Sequence, residues 1–107
     1  MDKKDQIRYL EDRIVEEMKQ IFDPEIPVNI YDLGLIYDIK VTENLEVTIT
    51  MTLTSPNCPE AESLPLKVEN ALKSIRNVKN AEVILTFEPP WNKDMMSETA
   101  MLELGFL

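Results

Sequence analysis

The residue pattern predicts an α/β (α+β) domain. A small mixed three-stranded sheet lies in the order α-β-β-α-β-α, with helices packed on its apolar face. Three observations predict it. Apolar residues recur every three or four positions in two long stretches. Three shorter stretches alternate between an apolar face and a mostly polar one. A strand, a helix and another strand follow in succession, which implies a right-handed crossover and parallel pairing of those two strands.

Taken in order, residues 3–22 read as an amphipathic helix through Ile7, Leu10, Ile14, Met18 and Ile21. Asp23-Pro24 should end it, because the residue before proline is pushed out of the helical region. A loop runs through residues 25–32. Residues 35–41 form a half-buried strand with Leu35, Tyr37, Ile39 and Val41 on the apolar face. Thr42, Glu43 and Asn44 turn the chain. Residues 45–54 then set Leu45, Val47, Ile49, Met51 and Leu53 inward, and Glu46, Thr48, Thr50, Thr52 and Thr54 outward. The two strands read as an antiparallel hairpin. A second helix spans about 59–76, with Ala61, Leu64, Val68, Ala71, Leu72 and Ile75 as its stripe. Pro65 should kink it or mark a restart after Ser63. After a turn at 77–80, residues 81–87 form the third strand, with Ala81, Val83, Leu85 and Phe87 inward. EPPWNKDMMSE breaks the regularity. A last helix, about 94–104, stops at Gly105.

The whole chain, 1–107, is expected to be one domain. Its 44% hydrophobic and 29% charged residues suit a soluble globular protein. No apolar run is long enough for a membrane span, and the opening MDKKDQIRYLEDR is too charged for a secretory signal. One cysteine cannot form an internal disulfide, so a cytoplasmic location is expected. Eleven basic against twenty acidic residues give a net charge of −9. That balance argues against nucleic acid and anionic lipid as partners. There is no histidine. A Ser–His or Cys–His nucleophile and a histidine-ligated metal are therefore excluded within the chain. With only Gly34 and Gly105, so is a glycine-rich phosphate loop.

Cys58, in LTSPNCPEAE, is the one thiol. Pro59 suits the first position of a helix, which makes Cys58 its N-cap. Free N–H groups and the helix dipole there favour a thiolate, while Glu60 and Glu62 in the first turn oppose it. Thr52, Thr54, Ser55 and Asn57 could bring polar groups near the sulfur. The bland alternative is a cysteine buried under the loop. An iron–sulfur cluster commonly takes about four thiolates, so one per chain, or two in a symmetric homodimer, does not house one stably. Transient ligation shared with a partner fits one thiol better. Asp23 and Glu25 read either as a helix stop or as oxygen ligands or bases near the thiol. Trp91, Met95 and Met96 read either as core closure or as an adaptable partner-binding surface.

Three blocks carry a family likeness: DPEIPVNIYDLGLIYDI (23–39), ITMTLTSPNCP (49–59) and VILTFEPPWNKDMMSE (83–98). Together they resemble the signature blocks of the SufT-like metal–sulfur cluster assembly proteins. Relatives of that family include eukaryotic cytosolic iron–sulfur targeting factors and an accessory protein of bacterial phenylacetate degradation. The resemblance implies a compact α/β fold and a role in maturing iron–sulfur proteins. It matches the family's reactive cysteine to Cys58, its acidic pair to Asp23 and Glu25, and the polar residues before its cysteine to Thr54 and Ser55. This chain departs from the pattern at Pro65 and at Asn92-Lys93, where many relatives have Thr-Pro.

The reading that follows is an assembly factor rather than a turnover enzyme. It has no stably bound cofactor; a cluster or iron is held transiently at Cys58. Cluster carriers or scaffolds and client apoproteins are its partners. The rival is a metal-free adaptor that bridges carrier and client. A thiol enzyme lacks both an activating histidine and a resolving cysteine.

Overall fold

The computed structural model describes residues 2–55 and 63–106. Helix α1, Lys3–Met18, starts at Asp2, whose side chain accepts from the Asp5 N–H at 2.9 Å. That contact satisfies one of the donors a helix N-terminus leaves free. Leu10, Ile14 and Met18, one apolar stripe, are buried. The helix ends four residues before the position the Asp23-Pro24 pair predicts. Gln20 and Ile21 make only short turn bonds to Glu17 and Met18. From there the chain folds back on itself: Phe22 bridges Asn29, the Ile30 N–H donates to the Ile21 carbonyl, and the Asp23 N–H donates to the Val28 carbonyl. Ile21 still packs against the core.

The loop predicted over 25–32 contains a one-turn helix, α2, Ile30–Leu33. Strands β1 (Ile36–Val41) and β2 (Glu46–Met51) pair antiparallel, and β3 (Asn80–Leu85) pairs parallel to β2. The sheet order is β1-β2-β3. Helix α3, Ser63–Ser74, is the crossover. Pro65 is the third residue of this span, within its first turn, where a missing N–H breaks no helical bond. The predicted last helix divides into a 3₁₀ turn, Lys93–Met95, and α4, Glu98–Glu103. Ser97 caps α4 by accepting from the Ala100 N–H, and Gly105 follows in the left-handed region at φ 79°.

Val47, Ile49 and Met51 of β2 are buried, as are Leu64, Val68 and Leu72 of α3 and the α1 stripe. The core thus lies between one face of the sheet and the two long helices. Two residues depart from simple alternation. Thr52, expected on the polar face, is fully buried, its N–H donating to the Leu35 carbonyl at 2.9 Å. The pairing register slips between Ile36 and Asp38, a bulge. Ile36, not Tyr37, therefore faces Met51 and packs against the core. Among the described residues, no helix is long and apolar enough to cross a membrane.

Ile49 is fully buried in the central strand. Ile49→Ala removes about three methyl or methylene groups there and should cost about 3 kcal/mol. Urea unfolding followed by circular dichroism measures it; a loss below 1 kcal/mol would contradict this packing.

Candidate functional site

Because β1 runs against β2 and β3 runs with it, Ile36, Met51 and Leu85 fall side by side. One end of the sheet therefore collects the entry to β1, the exit from β2 and the exit from β3. These are the places where the three sequence blocks leave their strands. The Thr52 N–H binds the Leu35 carbonyl, and the Thr86 N–H binds the Met51 carbonyl at 2.9 Å, so strand-like pairing continues past the strand ends.

The first block is held by its own side chains. Asn29 caps α2: its Oδ1 accepts from the Asp32 N–H, and its Nδ2 donates to the Asp32 Oδ2, each at 2.8 Å. The first contact satisfies a free N–H of the helix start, and the second ties the two side chains together. Gly34 then ends α2 at φ 88°, a conformation that costs a side-chain-bearing residue and suits glycine. Proximity adds a second demand. A Cβ at Gly34 would overlap the Met95 carbonyl oxygen and stand 2.9 Å from its carbonyl carbon.

The third block locks onto this turn. The Trp91 Nε1–H donates to the Leu33 carbonyl at 2.7 Å, and the Ser97 N–H donates to the Asp32 carbonyl at 2.7 Å. The Tyr37 hydroxyl donates to the Pro89 carbonyl at 2.7 Å and lies 3.5 Å from the Met95 sulfur. Beside these contacts lies an open groove of about 640 Å³ between Tyr31, Ile36, Tyr37, Pro89 and Met95.

The sequence-predicted residues distribute unevenly over this end. Asp23 is buried, and its Oδ1 accepts from the Glu25 N–H at 2.8 Å and the Ile26 N–H at 2.9 Å. That carboxylate shapes a turn. Glu25 is exposed on the same turn. Thr54 and Ser55 are half-buried beyond β2. Asn57 and Cys58, with the proposed N-cap geometry, lie outside the described residues. Ser55 is the last described position before Cys58, three peptide units away. Trp91 and Met95 are half-buried in the contacts above. Met96 is 6% exposed and belongs to the core, which corrects its assignment to a partner-binding surface. The physical reason is that the 3₁₀ turn rotates Met96 inward between Met95 and the Ser97 cap. Among the described residues, no group of three or more aspartates, glutamates, cysteines or histidines is placed to hold a metal. Asp32-Leu33-Gly34 reads in sequence as a turn into the first strand with Gly34 at an unusual backbone angle, and Gly34 does end α2 at φ 88°. Asn29 and Tyr37 were not singled out; the preference of asparagine for a helix N-cap could have found Asn29.

This fold and these converging blocks define a family. The chain belongs to the iron-sulfur cluster assembly protein family, whose model matches residues 11–83. It is 57% identical over 97 residues to an Fe-S protein maturation auxiliary factor of Porphyromonas gingivalis, covering 91% of this chain and 92% of that one. It is 42% identical over 96 residues to the Fe-S protein maturation auxiliary factor YitW of Bacillus subtilis, covering 90% and 94%. A crystal structure of a domain of unknown function from Bacillus anthracis superposes with a TM-score of 0.87 at 35% identity, covering 95% of this chain and 97% of that one.

Gly34→Ala meets both the positive φ and the Met95 carbonyl and should cost about 2–4 kcal/mol. Trp91 is the only tryptophan, so its emission reports on the contact. A red shift of Trp91 fluorescence below the unfolding midpoint is expected; a variant with unchanged emission and stability would refute the interlock.

Proposed function

We propose that this chain is a maturation factor for iron–sulfur proteins, and that Cys58 is its working residue. The observation that carries the reading is the convergence of the three family blocks at one end of the sheet, with the Cys58 stretch attached there at Ser55. The names of the relatives in Porphyromonas gingivalis and Bacillus subtilis support the same role.

In this reading the cluster, or its iron, is cargo. Cys58 contributes one thiolate to it during a hand-off, and the remaining ligands come from the donor or the acceptor protein. Thr54 and Ser55, half-buried at the root of the stretch, orient it. Asp23 acts through the turn it caps. Carriers and client apoproteins approach at this end of the sheet, and the exposed Glu25 contributes to its acidic character.

The test uses cells lacking the protein, complemented with wild type or Cys58→Ser at matched expression, with aconitase activity per unit of aconitase as readout. Wild type should restore activity, and the serine variant should restore less than about a tenth of the difference. Equal restoration would remove the thiol from the mechanism and leave the metal-free adaptor as the role.

A further inference from the structure

Strand β1 is an end strand of the sheet. In the hairpin, the Thr42 N–H donates to the Glu46 carbonyl at 2.9 Å. Hydrogen-bonded pairs alternate along an antiparallel ladder, so Lys40 with Thr48 and Asp38 with Thr50 are the next such pairs in the observed register. The N–H and C=O groups of Ile39 and Val41 consequently point away from β2. Since β1 is the end strand, those groups face the sheet's open edge. Among the described elements, β2 and α1 are the principal contacts of β1, and the buried α1 stripe shares the core with Ile39 and Val41, on the face opposite the exposed Asp38 and Lys40.

The side chains on that edge are self-complementary. Asp38 and Lys40 are both exposed on the face away from the core, two residues apart, with Ile39 between them. Among the described residues, neither forms an ion pair within the chain. An antiparallel pair of β1 strands centred on Ile39 sets Asp38 opposite the partner's Lys40, and Lys40 opposite the partner's Asp38. It also makes the Ile39 pair a hydrogen-bonded one, as the direction of its backbone groups requires. A slip of one residue in either strand loses both the charge pairing and the hydrogen-bond parity. The same register carries the partner's β1–β2 turn past Tyr37, toward the open groove beside Ile36, Tyr37 and Met95.

We infer that two copies of this chain associate through β1, antiparallel about Ile39, forming a continuous six-stranded sheet. The two-fold axis stands perpendicular to the sheet, so the two Ser55 ends point in opposite directions. Each protomer's β2 exit stays one strand inside the paired edge, and the two described Ser55 ends lie apart.

Sedimentation velocity of wild type, Asp38→Lys, Lys40→Asp and the double exchange D38K/K40D, from 1 to about 500 μM, tests this. Both sites are exposed, and circular dichroism checks that each variant is folded. Each single variant sets like charges opposite each other at two symmetry-related places and should raise the dimer Kd at least about 5-fold. The double exchange restores opposite charges and should return the Kd to within about 2-fold of wild type. Three results would overturn the inference: a wild type monomeric throughout, single variants that dimerise as wild type does, or a double exchange no tighter than the singles.

Discussion

The backbone of Met95 passes against the Cα of Gly34, and much of the functional end depends on that approach. Only a residue without a side chain, in a left-handed conformation, lets two chain segments sixty-one positions apart touch there. Once they touch, the other contacts fall within reach: Trp91 to the Leu33 carbonyl, Ser97 to the Asp32 carbonyl, and Tyr37 to the Pro89 carbonyl. Each neutral hydrogen bond contributes only about 1 kcal/mol net. Their joint effect is geometric, since they fix the entry to β1 against the exit from β3. The exit from β2, which leads to Cys58, lies between those two fixed points.

Regular periodicity carried most of the fold. The α1 and α3 stripes and the alternation in β2 and β3 each matched the face that is buried, and the crossover gave the parallel pair. What escaped was set by contacts between distant segments. Thr52 is polar and alternates outward on paper, yet the chain closes over it as β2 continues to pair with Leu35. Tyr37 alternates inward, yet a bulge gives the inward position to Ile36. Ile21 sits on the helical stripe, but its carbonyl is claimed by the Ile30 N–H and the helix ends at Met18. None of these is a local preference of the residue concerned.

The candidate site was legible in a different way. Its residues were recognisable as blocks, while each of their individual tasks stood between two readings. Asp23 reads in sequence as a helix stop or as a ligand or base, and in the fold its Oδ1 is engaged by two backbone N–H groups of a turn. Trp91 reads as core closure or as a docking aromatic, and in the fold its indole N–H is spent on Leu33. Met96 is core. A buried polar group needs its hydrogen bonds met, and at these positions the protein's own backbone meets them.

That division bears on how a chain with one thiol and no histidine would handle a cluster. No imidazole is present to ligate or to take the thiol proton, so retention by one protomer is limited to a single sulfur. Weak retention is an advantage for a factor that must release its cargo, provided the sulfur is presented in a reproducible place. The contacts that frame the β2 exit define where the stretch carrying that sulfur begins, at Ser55. In the proposed role, then, the polar residues of the family blocks serve the hand-off through backbone geometry. Pairing through β1 would bring the partner's β1–β2 turn toward the groove at that end, while the β2 exit lies one strand inside the paired edge.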